Sequence, residues 1–453
     1  MISINAIEDP LFKTFCQILD PEIIIPPPAV MRSLIINFSD FLLEYQLRNT
    51  QSNYFSILID GKTQNTLHFI SIILFTRNQY IYYTTKMVKS ESAVNISNIL
   101  RKCIDELILN NKTVCSICSD NFSSNKSACK IKNLQKKIYR QYCNCHCANL
   151  AISNLFNKKG KYNNITQKVL LALRLLKKFH PPSFTEVRWK SLSECATFIS
   201  NNKDKLVSII DHKHLEENKT YSDLKKFNWD ELKSALNIIT SYIIGLENDE
   251  MRIEYVFGEL SKTIQQLEKE ETQIANDITT ELINVYVMNN YLIVALSAFL
   301  LTTDGTFFWQ NCSEEKKDFF FEYGYEGICH FCKKSGIVVN DDMKKIFLDH
   351  LSRQKIEFCE PFAYWSSQNN VLSDIACQIL SIPCSETPVE RLFGGLTYMF
   401  DDKSNRMKDD LLNAKLRIRM FTVFEHIHEY SGRLLKRIKE CYDFLRNHAF
   451  LNI

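Results

Sequence analysis

Three carboxylate residues occupy positions where they could hold a metal ion. Asp60 and Asp120 each follow an apolar, strand-like run, residues 57–59 and 114–119. Glu390 lies in the first turns of an expected amphipathic helix that begins after a proline. Carboxylate oxygens are hard ligands suited to Mg²⁺ or Mn²⁺, and clustered carboxylates repel one another without a cation. The pattern predicts that two strand-end carboxylates and a helical one converge on a metal.

Each carboxylate also has an ordinary structural explanation. Asp60-Gly61 is a common turn pair, and Asp120 could form an Asx turn with Asn121. An acid such as Glu390 is favoured in the first turn of a helix. Considered one at a time, the three residues fit these explanations better than a metal site, so the metal hypothesis depends on their combined setting.

The first third of the chain has an α/β pattern. Runs rich in Ile, Phe and Tyr predict three strands that form an antiparallel meander, at residues 54–59, 67–75 and 80–84. A helix (90–109), a buried strand (113–119), a basic helix (125–138) and a short strand (139–145) are expected to follow. A helical lead-in, residues 1–50, precedes these elements. The order predicts a mixed α/β domain over residues 51–160.

The rest of the chain is dominated by helical periodicity. Residues 161–365 contain long helical patterns with almost no proline, which predicts an all-helical insertion. Residues 366–453 are expected to return to the first domain and to end in a helical segment. In that segment, an amphipathic helix over residues 411–424 is predicted to bury its apolar side partly against a second subunit, or else within its own. The predicted fold class is α/β plus an all-α insertion.

Composition excludes several classes of protein. The chain has 453 residues, with 55 Lys and Arg against 52 Asp and Glu, so its net charge of +3 confines any DNA-binding surface to a local region. Sixteen cysteines spread over a long chain without a secretory leader favour reduced thiols. The longest apolar stretch, residues 291–301, is shorter than the roughly 20 residues of a membrane span, so no membrane is expected.

Further motifs accompany the carboxylates. Cys143-x-x-His146 and Arg188-Trp189-Lys190 lie between Asp120 and Glu390, and residues 385–420 carry Glu390-Arg391 followed by a Leu-rich run. In this order the motifs resemble those of the hAT family of DNA transposases, over roughly residues 10–425. Because the three carboxylates occur in this order of motifs, they are candidate catalytic residues.

The resemblance implies a fold, a reaction and partners. The fold would be an RNase H-like core split by the helical insertion, closed by a C-terminal dimerisation region. Asp60, Asp120 and Glu390 would bind Mg²⁺ or Mn²⁺ for nicking of transposon ends, hairpin formation and strand transfer. The other implied positions are Arg188, Trp189 and Lys190 for DNA binding, with stacking of Trp189 on a displaced base, and Cys143, His146 and Arg391 for support of the active site. The implied partners are DNA and a second copy of the chain, in the nucleus.

Other interpretations stay open. Cys143 and His146 could hold zinc with Cys329 and Cys332, although no second ligand pair is assigned by the sequence. Arg188-Trp189 could simply pack the insertion onto the core. The expected N-terminal zinc finger of the family is lacking, and Lys62 stands where relatives commonly have Trp. The main rival is therefore a domesticated, inactive descendant that acts as a dimeric DNA- or chromatin-associated protein, and a plain RNase H-like nuclease is less favoured.

Overall fold

The protein is mostly helical with a small mixed sheet of five strands. Its computed structural model describes residues 27–50, 52–64, 66–77, 79–120, 123–129, 137–185, 189–213, 215–288, 291–353, 359–399 and 409–428. The strands in these residues are β1 (Tyr54–Gln64), β2 (Leu67–Thr76), β3 (Gln79–Val88), β4 (Thr113–Ser119) and β5 (Tyr139–Tyr142).

The described α-helices, in chain order, are α1 (Pro28–Asn49), α2 (Ala93–Leu109), α3 (Ser123–Ala128), α4 (Asn144–Phe156), α5 (Asn163–Leu175), α6 (Trp189–Asn201), α7 (Lys203–His212), α8 (Lys219–Lys226), α9 (Trp229–Leu246), α10 (Ile253–Lys269), α11 (Gln273–Met288), α12 (Tyr291–Leu300), α13 (Thr303–Gln310), α14 (Glu314–Ser335), α15 (Asp342–Leu351), α16 (Pro361–Ser367), α17 (Ser373–Leu380), α18 (Thr387–Met399) and α19 (Asp409–His428). The chain divides into two compact units, residues 1–135 with 386–453, and residues 136–385. The domain boundaries inferred from the sequence stay predictions.

The first unit is built on the sheet strands β3-β2-β1-β4, in that order. β1 pairs antiparallel with β2, and β2 pairs antiparallel with β3, so the expected meander is confirmed. β4 lies parallel to β1, and α2 makes the crossover between β3 and β4. Residues 69–75 of the inner strand β2 are buried without alternation, which is typical of a strand covered on both faces.

The first strand continues past the position where the sequence suggested that it ends. β1 runs to Gln64, and within it Asp60 pairs with Ser71 and Gly61 pairs with Ile70. The interpretation of Asp60-Gly61 as a turn is therefore wrong, because antiparallel pairing with β2 keeps this dipeptide extended. Asp60 lies within a strand whose parallel neighbour, β4, stops at Ser119.

The C-terminal helix α19 packs against the edge strand β3 and against α1. The side-chain amide of Asn413 accepts a hydrogen bond from the Thr85 backbone N–H at 2.6 Å and donates one to the Thr85 carbonyl at 2.9 Å. Arg417 donates to Ser39 Oγ and to the Tyr83 carbonyl. The helix thus satisfies backbone groups that an open sheet edge would leave to solvent or to another strand.

The second unit is helical apart from β5. Trp229 and Trp365 are fully buried in it, and Phe257, Phe299, Phe308 and Phe320 form an aromatic cluster with several edge-to-face contacts. α12 and α14 approach closely, since a Cβ on Gly327 would lie 2.1 Å from Ser297 Oγ. All secondary-structure elements among the described residues of 161–365 are helices, as expected, whereas the status of this segment as an inserted domain stays a prediction.

Two further expectations concern the whole chain. No single described helix is long and apolar enough to cross a membrane, and the pair α11 and α12, bent by 84° to each other, passes that test only jointly. The basic helix expected over 125–138 is shorter in the described residues, where α3 ends at Ala128, and its remainder falls largely on residues outside the described ranges.

Candidate active site

The register of two parallel strands predicts that Asp60 and Asp120 lie close together. Leu58 of β1 pairs with Cys118 of β4. Side chains alternate between the faces of a strand, so two further residues on each chain return to the same face. Extension of this register by two residues would set Asp60 beside Asp120. Both side chains are half-buried.

Hydrogen bonds hold each of these carboxylates. Asp60 Oδ1 accepts from the Gly61 backbone N–H at 2.7 Å. Asp120 Oδ1 accepts from Asn125 Nδ2 at 2.6 Å, and Asn125 itself is 6% exposed in α3. A buried amide donor of this kind fixes the orientation of a carboxylate, as the outer partners of metal ligands do. Sequence reasoning missed Asn125, whose only signal was an amide five residues after a candidate ligand.

Glu390 lies on the helix α18, which packs against β1 and β2. Lys62 Nζ donates to the Phe393 carbonyl at 3.1 Å and lies 5.9 Å from the centre of its ring. Lys62 is two residues beyond Asp60 on the same face of β1, and Phe393 is about one turn beyond Glu390. Lys62 therefore fastens the turn of α18 that follows Glu390 to the strand that carries Asp60.

The structure places these residues without closing them into a compact cluster. Within the described ranges, Asp60, Asp120 and Glu390 do not form a set whose ligand atoms all lie within 4.8 Å of one another. Glu390 and its neighbour Arg391 are exposed in the first two turns of α18. The structure thus supports the alignment of the two aspartates and the approach of the glutamate helix. The assembly of all three around a metal stays a proposal.

The Cys-x-x-His segment lies in the second unit. Cys143 is buried immediately before α4, and His146 is half-buried in its first turn. The intervening Asn144 is buried and hydrogen-bonded within the protein. Its side-chain Nδ2 donates to the Cys384 carbonyl at 2.8 Å, and its backbone carbonyl accepts from Tyr286 Oη at 3.3 Å. These bonds anchor the start of α4 to the Ile382-Pro383-Cys384 segment.

The second pair of zinc ligands considered from the sequence, Cys329 and Cys332, gains no support from its surroundings. Burial raises the pKa of the Cys332 thiol to about 12 and also raises the pKa of Cys329. Among the residues that the structure describes, no group of three or more close potential ligands includes Cys329, His330 or Cys332. The second ligand pair that a structural zinc site would need is therefore not supplied by this segment.

The basic and aromatic residues expected to bind DNA are described only in part. Trp189 begins α6, and Lys190 is exposed in the first turn of that helix. Arg188 lies outside the described residues. The roles of these three residues, like those of Cys143, His146 and Arg391, stay predictions.

The C-terminal part of the chain matches a known family. Residues 344–420, from within α15 to within α19, match the family model of the hAT family C-terminal dimerisation region. Over this region the chain is similar to transposase-like proteins of the hAT family. The match begins upstream of residue 385, where the sequence resemblance was placed, and it includes both Glu390 and Arg391. A comparison with curated proteins finds no match to the chain.

The hAT region supports homodimer formation. Leu412 and Leu416 are fully buried within the single chain, and Phe421 packs with Leu42 of α1. Because β3 and α1 of the same chain contact this helix, the packing agrees with the alternative that its apolar side is buried within its own subunit. A part of this side in contact with a second subunit stays a prediction.

Proposed function

We propose that this protein is a metal-dependent transposase that nicks DNA and transfers its strands, with Asp60, Asp120 and Glu390 as metal ligands. The observation that carries the proposal is the parallel register of β1 and β4, which, extended by two residues beyond Leu58 and Cys118, would align Asp60 and Asp120 on one face of the sheet. α18, which lies inside the matched hAT region, adds the third carboxylate alongside β1.

The donor set fits the metal that the family uses. Transposases of the hAT family are generally metal-dependent, and three carboxylates offer the hard oxygen ligands that Mg²⁺ or Mn²⁺ prefers. When bound, such a metal supplies Lewis acidity for attack of water or a 3′-hydroxyl on a phosphodiester.

The chain's own residues fix the geometry for that chemistry. Asn125 orients the Asp120 carboxylate through a hydrogen bond to Oδ1. Lys62 ties the turn of α18 after Glu390 to β1, so movement of the helix away from Asp60 would break an ion–carbonyl hydrogen bond. Both contacts preorganise carboxylates, and preorganisation avoids a reorganisation cost when the reacting phosphate arrives.

The family also supports proposals about partners and location. DNA is the substrate class, with transposon ends and a target as the two DNA partners, and the acting form is a homodimer or a larger assembly in the nucleus. Lys190 and Arg188 would contact phosphates, and Trp189 would stack on a displaced base. Cys143, His146 and Arg391 are proposed to support the active site.

The test is nicking of supercoiled plasmid by purified protein with Mg²⁺ or Mn²⁺, read as open-circular product. We expect Asp120→Asn to abolish nicking while DNA affinity, measured without metal, stays near wild type. Asp105→Asn is the matched control, because it removes the same charge from an exposed site on α2. Equal nicking by Asp120→Asn and wild type would show that another site or a contaminant cleaves the plasmid. Tight DNA binding without any metal-dependent nicking by wild type would favour the domesticated, inactive descendant.

A further inference from the structure

A second cluster of residues, of the types that bind nucleic acids, lies in the second unit and includes none of the three candidate carboxylates. A cavity of about 250 Å³ is lined by Tyr139, Arg140, Tyr142, Tyr291, His330, Lys334 and Ile138. We call it the tyrosine pocket. Three tyrosines, three basic side chains and an isoleucine make up this lining, and none of the lining residues is a carboxylate. The combination of aromatic faces and positive charge suits a ligand that is both planar and anionic.

Three planar groups of the pocket contact one another in a row, which we call the Arg140–Tyr142 column, and the two tyrosine rings in it are tilted by 43°. The rings of Tyr142 and Tyr291 lie 4.6 Å apart, and the Arg140 guanidinium carbon lies 4.2 Å from the centre of the Tyr142 ring. Arg140 Nη1 also donates to Tyr142 Oη at 3.2 Å, which holds the guanidinium over the ring. Nucleic-acid bases stack on aromatic rings and on arginine planes alike. A base could therefore extend this column.

His330 and Lys334 complete the lining from α14. Burial, together with the charges of Lys334 and Lys333, lowers the pKa of His330 from its ordinary value. The neutral imidazole presents one donor and one acceptor, which is the complement that the edge of a base requires. Lys334 is exposed and supplies a full positive charge at the same cavity.

We propose that the tyrosine pocket binds one unpaired nucleotide of a DNA strand, with its base against the Arg140–Tyr142 column and its phosphate at Lys334. The base must be unpaired and unstacked, because in a duplex both of its faces are covered by neighbouring bases. The choice of DNA over RNA rests on the proposed function. The pocket itself is independent of the carboxylates in the first unit.

The experiment uses the full-length protein in EDTA, so that loss of cleavage cannot affect the result. The probe is a 12-nucleotide oligo-dT with one central 5-iodouracil, used for fluorescence anisotropy and for photocrosslinking mapped by mass spectrometry. We expect crosslinks on the peptide that contains Tyr139 to Tyr142 or on the one that contains Tyr291. The Asp120→Asn variant should crosslink as wild type does, which separates this site from the proposed active site.

Paired variants separate stacking from charge. Arg140→Lys keeps the positive charge but removes the planar guanidinium on which a base could stack. We expect this variant to bind the oligonucleotide about tenfold more weakly than wild type. Tyr142→Leu should weaken binding to a similar extent, whereas Tyr142→Phe, which keeps the ring, should stay within about twofold of wild type. Lys334→Gln should weaken binding of the oligonucleotide about threefold. It should also reduce the slope of log affinity against log salt concentration by about one released counterion. Lys333→Gln removes the same charge one residue away, outside the lining, and should bind as wild type does.

Four outcomes would overturn the proposal. The first is equal affinity of Arg140→Lys and wild type while circular dichroism shows both folded. The second is a crosslink that maps outside the pocket. The third is competition by free dTMP at the same concentration as the strand, which would make this a mononucleotide site. The fourth is tighter binding of a 12-base-pair duplex or of oligo-rU than of oligo-dT.

Discussion

His350 provides a prediction whose magnitude follows from its surroundings. The residue lies on α15 in the second unit and is 5% exposed, and the centre of its ring lies 4.8 Å from that of Trp365 at a tilt of 45°. Its Nε2 lies 3.2 Å from the Leu300 carbonyl and 3.2 Å from Thr306 Oγ1. The Thr306 hydroxyl donates to the Thr302 carbonyl, so Nε2 must be the donor to both oxygens. The neutral tautomer with its proton on Nε2 is thereby assigned.

A second proton on this ring would create a buried N–H group at Nδ1 without an acceptor. Nδ1 has no hydrogen-bond partner among the residues that the structure describes. Burial, with a smaller contribution from the positive charge of Arg353, lowers the pKa of His350 from 6.5 to about 3. The unfolded chain therefore takes up a proton near pH 6.5 while the folded chain does not. This stability is present above pH 6.5 and is lost as the pH falls toward 3.

The expected loss can be worked out for an accessible pH interval. With an unfolded pKa of 6.5 and a folded pKa of about 3, the unfolding free energy falls by about 2 kcal/mol between pH 7.5 and pH 5 through this group alone. His350→Gln keeps a donor that can reach the Leu300 carbonyl but cannot titrate. We expect the variant to be less stable at pH 7.5 by about 1 kcal/mol and to lose about 2 kcal/mol less than wild type on acidification.

The assay is urea unfolding at both pH values, followed by circular dichroism and by tryptophan fluorescence. His212→Gln is the matched control, because His212 is exposed at the end of α7 and its replacement disturbs no buried contact. Equal pH dependence of wild type and His350→Gln would refute the reasoning. It would mean either that the imidazole is hydrated or that it is already protonated in the folded protein.

Three shorter predictions concern packing and assembly. Asn413→Ala should lower the unfolding free energy by about 3 kcal/mol in urea titrations, because the buried Thr85 N–H and carbonyl lose their partner. Gly327→Ala should lower the melting temperature, since its Cβ would overlap Ser297 Oγ, whereas Gly258→Ala, with open space around it, should leave it unchanged or raise it. Light scattering should give twice the 53.0 kDa chain mass, and a concentration-independent monomer would contradict the dimer.

The strands were predictable wherever local pattern and tertiary pairing agree. Apolar runs rich in β-branched and aromatic residues indicated β1 to β4, and all four exist. The Asp60-Gly61 pair shows the limit of this reasoning. As an isolated dipeptide it favours a turn, but pairing with Ser71 and Ile70 of β2 holds it extended. No local propensity carries that information.

The C-terminal helix shows a different limit. Periodicity predicted a helix over residues 411–424, and α19 contains it. The apolar side was also predicted, but a sequence gives no sign of which surface will cover it. In the folded chain Leu416 and Phe421 are covered by elements more than 300 residues earlier. A polar residue on the same helix, Asn413, matches the helix to the edge of β3 through hydrogen bonds to the Thr85 backbone.

The candidate metal ligands could be predicted from the sequence, but the residues that position them could not. Spacing and resemblance selected Asp60, Asp120 and Glu390, whose side chains would contact a metal directly. Asn125 and Lys62 were not selected as supports, because an amide and a lysine at those positions are common on any surface. Only the pairing of β4 with β1 and the packing of α18 on β1 show that each fastens one candidate ligand. Loss of Asn125 or Lys62 should therefore impair cleavage without removing a ligand, and this distinguishes a positioned carboxylate site from three unrelated acids.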